Sequence, residues 1–292
     1  MKIGAFEIQE PVPELREPHV IAMLRPWIDA GNVGTLTMER LEQHLGAQEI
    51  GKLAQPGNFF DFTRYRPTTR IVEGRRTLEV PNTTVHVARR DEAPDLLFLH
   101  VLEPHTMAEE YVDSVVQLLK HFGVKRYGRV GGMYDAVPHT RPLLVTGTLN
   151  GEPLKDVPGM RSSRGGGYQG PTSIMNLVTE ALDELSIESL TLMVHLPQYL
   201  ELEDDQAGTA RLLEILCTLY GFPEELADTE RGKRQYEQVS AEVSQHRGVR
   251  TLISQLETYY DSRAPEETED QSSLSPQVQR FLRDMGRKLE DT

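Results

Sequence analysis

Short apolar runs alternate with amphipathic helical segments along most of the chain. The runs with the length of strands span residues 19–24, 83–88, 96–102, 127–133, 143–148 and 190–196. Several of them are apolar at consecutive positions, as expected of strands that are covered on both faces. Such alternation is typical of a wound α/β sheet. Residues 59–76 are more polar and predict a hairpin or excursion from this sheet.

Capping signals and helical spacing mark the helices between the strands. The sequence TMAE at 106–109 predicts a capping box, and Gly123 is placed to end the helix that follows it. Pro171 is expected in the first turn of a second helix, where a proline costs no hydrogen bond. A third helix is predicted from about residue 206 to residue 220.

The pattern changes after Pro223, where strand-like runs end. We therefore predict an α/β core domain over residues 1–222 and a helical extension that packs on it over 223–262. Residues 263–275 are acidic and rich in serine, which predicts a flexible acidic linker. Residues 276–292 predict an amphipathic C-terminal helix, which either packs on its own core or oligomer or docks on another protein.

Composition bears on the compartment of the protein, on membrane segments and on binding to nucleic acid. The single cysteine, Cys217, excludes an internal disulfide and fits a reducing compartment, and it lies in an apolar run as a small core residue would. We expect a cytoplasmic protein with no membrane segment, because the sequence shows neither a signal peptide nor an apolar run of about 20 residues. The net charge of -14 argues against binding to nucleic acid.

Polar, glycine-rich and proline-rich sequence is concentrated directly after the predicted strands. Trp27 and Asp29 follow the first strand, Glu103 follows the third, and Tyr199 follows the last. Ligands in open α/β sheets bind beyond the carboxyl ends of the strands, so a binding site is expected at this edge. Trp27 and Tyr199 could line a pocket there, or they could simply pack against the core.

Residues 131–142 are the richest of these segments. Gly131 and Gly132 allow a close approach of backbone, and Asp135, His139 and Arg141 could orient a group, transfer a proton and bind an anion. The alternative is a tight strand connection that these polar groups hold through hydrogen bonds of their own.

A second glycine-rich segment covers residues 164–173 and includes Tyr168. A loop of this kind that leads into a helix could offer backbone N–H groups to an anion. The alternative is a flexible loop before an ordinary helix start.

Complete catalytic templates are missing from the sequence. It contains no HExxH, no GxSxG and no P-loop, and its nine histidines show no paired ligand spacing. We therefore expect no metal site and no cofactor, and the sequence does not indicate an enzyme.

Five motifs, in order, resemble the proteasome assembly chaperone 2 family over about residues 15–262. They are WIDAG at 27–31, EP at 103–104, GG at 131–132 with PHTRP at 138–142, YQGPTS at 168–173, and HLPQY at 195–199. In addition, LISQLE at 252–257 is similar to the family's closing helix. The resemblance implies a three-layer α/β/α sandwich with a mixed sheet, similar to nucleoside phosphorylases and peptidyl hydrolases, plus C-terminal helices.

The same resemblance implies a homo-oligomer, and it makes a proteasome-related protein partner conceivable. Two departures from the family pattern stand out. The sequence ends LEDT, without the hydrophobic-Tyr-any tripeptide that archaeal relatives use to dock on the proteasome, so docking by that route is not expected. Arg25 and Pro26 precede Trp27, where bacterial relatives tend to have a glycine.

Three hypotheses about function follow. The first is a non-enzymatic, oligomeric binding or assembly protein, chaperone-like and similar to the bacterial members. The second is a small-molecule-binding protein, or a hydrolase or transferase, that acts on an anionic or nucleoside-like ligand at the C-terminal edge of the sheet. The third gives the polar residues at this edge a purely structural role. The candidate ligand-binding residues are Trp27, Asp29, Glu103, Gly131, Gly132, Asp135, His139, Arg141, Tyr168 and Tyr199.

Overall fold

The computed structural model describes residues 1–72, 74–154, 157, 160–161, 170–243 and 247–262. These residues form a mixed α/β fold. Its helices are α1 (Val33–Leu45), α2 (Ala108–His121), α3 (Ile174–Asp183), α4 (Gln206–Tyr220), α5 (Thr229–Val243) and α6 (Arg247–Ser262). Its strands are β1 (Lys2–Ile3), β2 (Phe6–Ile8), β3 (His19–Arg25), β4 (Gln48–Leu53), β5 (Thr68–Val72), β6 (Arg75–Glu79), β7 (Thr84–Ala88), β8 (Leu96–Leu102), β9 (Arg126–Asp135), β10 (Val145–Leu149), β11 (Glu152–Pro153), β12 (Met160–Arg161) and β13 (Glu188–Pro197).

One large mixed sheet forms the centre of the fold. Its strand order is β1-β2-β4-β7-β8-β3-β9-β13-β10-β11, with β12 beside β10. The neighbours β8, β3, β9 and β13 run parallel to one another, so their carboxyl ends meet at one edge. On the two sides of this parallel group, β7 pairs antiparallel with β8, and β10 pairs antiparallel with β13.

Helices cover both faces of the sheet. The sheet therefore separates two hydrophobic cores, one on each face. On one face, α2 and α3 contribute Tyr111 and Val178 to a core that they share with alternate strand residues. On the other face, α1 and α4 contribute Leu41 and Leu216. Residues 20–24 of β3 are buried without interruption, as expected of a strand covered on both sides. The predicted three-layer sandwich with a mixed sheet is confirmed.

The strand predictions agree with the structure more closely than the helix predictions. All six predicted strands form. One of them, β8, has the predicted bounds, residues 96–102. The helix α1 was not indicated by the sequence, because its first turns contain glycine and threonines, which are poor helix formers. The prediction of a capping box at 106–109 is wrong. The residue before α2 is Met107, and its side chain does not cap the helix. Pro171 precedes Ser173, the residue before α3, and is not in its first turn.

The helices after residue 223 contact the core. Gly232 of α5 lies so close to α4 that an added Cβ would be 2.6 Å from the Cα of Ala207. Leu252 and Leu256 of α6 pack with Ala136 and Tyr199. The division into a core domain and an extension stays a prediction, and residues 263–275 and 276–292 lie outside the described residues. None of the described helices combines the length and the apolar composition that a membrane crossing requires.

The loop after β3 lies directly against β9. The Gly132 N–H donates a hydrogen bond to the Ile28 carbonyl over 2.9 Å, and Asp29 forms an isolated parallel bridge with Gly132. A Cβ on Gly131 would be 2.2 Å from the Ile28 carbonyl oxygen, and one on Gly132 would be 3.0 Å from that of Ala30. The glycine pair is therefore required by the close approach of two backbones.

We predict that Gly131→Ala destabilises the protein by roughly 1–3 kcal/mol, the usual cost of forcing extra atoms into a packed site. The atom that the new methyl group meets belongs to backbone and cannot rotate away. The free energy of unfolding in urea measures the effect. The matched control is Gly248→Ala in α6, where a Cβ meets nothing within 4 Å. An equal stability of the two variants would contradict this explanation of Gly131.

Candidate functional site

The carboxyl ends of the four parallel strands bring most of the candidate residues to one edge of the sheet. From β3 the chain continues to β4 on the β8 side of the sheet, and from β9 it continues to β10 on the other side. The connections that leave β3 and β9 therefore run in opposite directions. The crevice between the ends of β3 and β9 is then the topological switch point, the usual ligand position in open α/β sheets. Here the backbone of residues 28–30 occupies it, through the contacts with Gly131 and Gly132.

Asp29 fixes the start of α1. Its Oδ1 accepts hydrogen bonds from the backbone N–H groups of Gly34 and Thr35 over 2.7 and 3.1 Å, and its Oδ2 accepts one from the Thr35 hydroxyl over 2.6 Å. The side chain is buried. Both carboxylate oxygens are therefore used by the first turn of the helix, where a negative charge is favourable.

Glu103 has the same task at α3. Its Oε1 accepts a hydrogen bond from the Ile174 N–H over 3.0 Å. Burial raises the pKa of Glu103, and the hydrogen bond from Ile174 opposes that rise only in part. The second oxygen, Oε2, is buried without a hydrogen-bond partner among the described residues. Glu103 thus joins the end of β8 to the start of α3.

Asp135 belongs to a chain of hydrogen bonds that crosses three strands. Its Oδ2 lies 2.8 Å from Nδ1 of His195 in β13, and Nε2 of His195 lies 3.0 Å from the hydroxyl oxygen of Thr146 in β10. An acid, an imidazole and a hydroxyl in this order can move a proton along the chain. The same bonds also tie the antiparallel strand β10 to the parallel group.

His139 is buried in the loop after β9. Its Nδ1 lies 2.5 Å from the hydroxyl oxygen of Tyr199, and its Nε2 lies 3.0 Å from the hydroxyl oxygen of Ser240 in α5. Burial lowers the pKa of His139, and nearby Glu257 opposes this shift. Burial also raises the pKa of Tyr199 to about 12. His139 therefore connects two separate segments as a neutral imidazole.

Arg141 connects the same loop to α6. Its Nε and Nη2 donate to the two carboxylate oxygens of Asp261 over 2.9 and 2.7 Å, and its Nη1 donates to Oε1 of Glu257 over 3.1 Å. A two-pronged guanidinium–carboxylate pair is the strongest geometry available to arginine. Hydrogen bonding to Asp261 raises the pKa of Arg141 and lowers that of Asp261.

A pocket of about 390 Å³ lies beside His139 and Arg141. The loop after β9 forms one wall, and α4 and α5 form the others, with Arg211, Lys233 and Tyr236 among the lining residues. The wall that Tyr236 provides is fixed, since its hydroxyl donates to Oδ2 of Asp205 over 2.9 Å in the interior.

Two candidate residues remain. Trp27 is 61% exposed on the loop after β3. Tyr168 lies outside the described residues.

The edge therefore contains two kinds of candidate residue. Asp29, Glu103, Gly131 and Gly132 hold backbone in place. Asp135, His139, Arg141 and Tyr199 form a polar layer beside the pocket and beneath the C-terminal helices. Sequence reasoning missed the partners that complete this layer, which are His195, Thr146, Ser240, Glu257 and Asp261. His195 and Thr146 had a local signal, because both lie in predicted strands, and Glu257 lies in the LISQLE segment.

Comparisons with known proteins agree with this fold. The PAC2 family model matches residues 23–245. A Corynebacterium glutamicum protein of unknown function is 23% identical, with a TM-score of 0.77 over 88% of this chain and 97% of its own. A Mycobacterium tuberculosis protein of unknown function is 24% identical, with a TM-score of 0.76 over 90% and 92%. A proteasome-assembly chaperone homologue of Mycobacterium tuberculosis is 20% identical, with a TM-score of 0.68 over 80% and 99%. The sequence matches no curated protein.

We predict that His139 makes the protein less stable in mild acid. Since burial lowers its pKa in the folded state below the ordinary value near 6.5, the unfolded chain takes up the proton first. Stability is therefore complete above about pH 6.5 and falls as the pH drops below that value. The loss of unfolding free energy between about pH 7.5 and pH 5.5 should be smaller in His139→Gln than in the wild type. His121→Gln replaces an exposed histidine as the control. Equal losses in all three proteins would contradict the assignment.

Proposed function

The chain belongs to the PAC2 family, and from this premise we propose that it is a non-enzymatic, chaperone-like assembly protein that works as a homo-oligomer. One solved structure with the same fold is a proteasome-assembly chaperone homologue, which supports a role in protein assembly. The proposal includes a cytoplasmic location. The single cysteine, Cys217, is buried and free, which fits a reducing compartment.

The observation that carries the proposal is the hairpin of β5 and β6. Every residue of both strands is exposed. Within the described residues, the two strands pair with each other and with no other strand. A hairpin of two strands is marginally stable in water, and it gains stability when another surface covers one of its faces.

One face of this hairpin is suited to burial. The register pairs Thr69 with Leu78 and Ile71 with Arg76, so these four side chains share a face. Ile71 is 77% exposed and Leu78 is 63% exposed. Two large apolar side chains side by side on a projecting hairpin are typical of a protein contact, because the covered state removes both from water.

Charge favours a second copy of the chain as the partner. Residues 64–79 contain five arginines and two glutamates, a net charge of +3, although the whole chain has a net charge of -14. The rest of the chain therefore has a net charge of -17. A basic projection is attracted to such an acidic surface, and the attraction guides and orients association.

The polar edge of the sheet fits an assembly protein as well. Asp29 and Glu103 hold helix starts, and Arg141 holds α6 through Asp261. Most of the groups that a catalyst would need are thus engaged within the protein. The partner that is assembled stays open in this proposal, and a proteasome component is one candidate by family resemblance.

We predict that the purified protein is an oligomer and that Ile71→Ser with Leu78→Ser converts it to monomers. Each buried leucine or isoleucine contributes roughly 1.5–3 kcal/mol, so the double variant should raise the dissociation constant about 100-fold or more. Sedimentation velocity over a range of concentrations measures this. High salt should weaken association of the wild type, because the attraction is screened.

The control for this experiment is Leu177→Ser, which removes an apolar side chain that is 46% exposed on α3. It should leave the oligomer intact. A monomeric wild type would overturn the proposal. A double variant that associates as tightly as the wild type would remove the hairpin from the interface.

The pocket beside His139 favours a second function, a site for a small anionic or nucleoside-like ligand. Its volume of about 390 Å³ falls in the range of ligand pockets, and Lys233 supplies a positive charge, whereas Arg211 is paired with Glu214 in the same lining. Under this alternative the ligand lies between α4, α5 and the loop after β9, and not at the switch point.

A thermal-shift screen against nucleosides, nucleotides, phosphate and carboxylates tests the second function. A ligand at 100 times its dissociation constant adds about 2.7 kcal/mol of stability, which raises the melting temperature visibly. We expect such a shift to disappear in Lys233→Ala and to persist in Lys120→Ala, an exposed lysine of α2. Unchanged melting with every compound would remove this alternative.

A further inference from the structure

Glu42, His86 and His100 form a cluster of possible metal ligands. His100 Nε2 lies 2.7 Å from Oε1 of Glu42, and His86 Nδ1 lies 3.2 Å from the same oxygen. All three ligand atoms lie within 4.8 Å of one another. The cluster is separate from the strand-end edge and from the pocket beside His139.

The fold brings these residues together from three elements. In the antiparallel pair of β7 and β8, Thr84 lies opposite His100 and His86 lies opposite Phe98. The two histidines are therefore diagonal neighbours on one face, and their ring centroids are 5.0 Å apart. Glu42 comes from α1, one position after the buried Leu41, which anchors the helix on this face.

We propose that Glu42, His86 and His100 bind a divalent transition-metal ion of the zinc class. Two imidazole nitrogens and one carboxylate oxygen are a ligand set that zinc accepts, with bonds of about 2.0–2.2 Å. Ligand atoms around a tetrahedral ion at that distance stand roughly 3.3 Å apart. The observed separations of 2.7 and 3.2 Å from Oε1 require only small side-chain movements to reach this arrangement.

The surroundings suit a cation that comes from solvent. The side chains of Glu42, His86 and His100 are 13, 22 and 12% exposed, so an ion has access while most of its surface is enclosed. Three protein ligands leave a fourth position for water or another small ligand.

A glutamate carboxylate is ionised at neutral pH, so Glu42 brings a negative charge to the ion. Both histidine nitrogens must be free of protons to bind metal, so binding releases protons and weakens in acid.

A hydrogen-bonded trio without any metal is the competing explanation. In that case both imidazole N–H groups donate to Oε1 of Glu42, and zinc titration separates the two explanations. The proposal departs from the expectation drawn from the sequence, that no metal site is present. Positions 42, 86 and 100 lie too far apart in the chain for ligand spacing to indicate a site. The proposed metal site does not depend on the proposed oligomeric function.

Zinc titration of the full-length, chelator-treated protein tests the proposal by isothermal calorimetry. We expect one Zn²⁺ per chain in the wild type. Substitutions in the outer shell of metal sites already weaken binding by about 10–100-fold, so Glu42→Gln and His86→Gln should weaken it by at least about 100-fold. His44→Gln removes an exposed histidine two positions from Glu42 on the same helix and should bind as the wild type does.

Cobalt(II) gives a second measurement that does not rely on affinity. Tetrahedral coordination by the cluster produces visible absorption bands, which should be absent in Glu42→Gln, a variant of nearly the same shape. Far-ultraviolet circular dichroism verifies that each variant is folded. A wild type that binds no zinc at micromolar concentration would overturn the proposal. Binding of equal strength in wild type, Glu42→Gln and His86→Gln would do so too, because the ion would then lie elsewhere.

Discussion

The contact between the backbone of residues 28–30 and the glycine pair of β9 determines how the strand ends are arranged. Gly131 lets the loop after β3 lie against β9 at a distance that no side chain would permit, and Gly132 reduces crowding beside it. The loop then delivers Asp29 to the start of α1, whose first N–H groups need an acceptor. Because α1 covers one face of the sheet, the core on that face depends on a contact between two pieces of backbone.

The same demand explains several other polar residues at this edge. Helices that begin against a sheet bury N–H groups that have no partner within the helix. Glu103 meets this need for α3, and Asp205 meets it for α4 through the Gly208 N–H. A concentration of acidic residues after strands thus has a structural explanation in this fold. Evidence for a ligand must come from groups that the backbone does not occupy.

Local patterns in the sequence predicted the centre of the sheet, because β3 and β8 are short apolar runs that are buried on both faces. The helix α1 escaped prediction, since Gly34 and Thr37 lower its helix propensity and only its packing on the sheet stabilises it. The location of the candidate site followed from the rule on strand ends. Its connections did not, because the partners of His139 and Arg141 are Ser240 and Asp261, about a hundred residues further along the chain.

The two halves of the sheet differ in what they offer to other molecules. In the parallel half, the motifs WIDAG, EP and GG close the switch point and start helices. The antiparallel half contains β4 and β7, and the exposed hairpin of β5 and β6 is inserted between these two neighbouring strands. His86 lies in β7, close after that hairpin in the chain, and it contacts Glu42 of α1. A contact with a second copy and a bound metal ion would therefore both act on β7. In this chain the exposed hairpin and the cluster of Glu42, His86 and His100 both adjoin β7, whereas Asp29, Glu103 and Arg141 at the strand ends are engaged in hydrogen bonds within the protein.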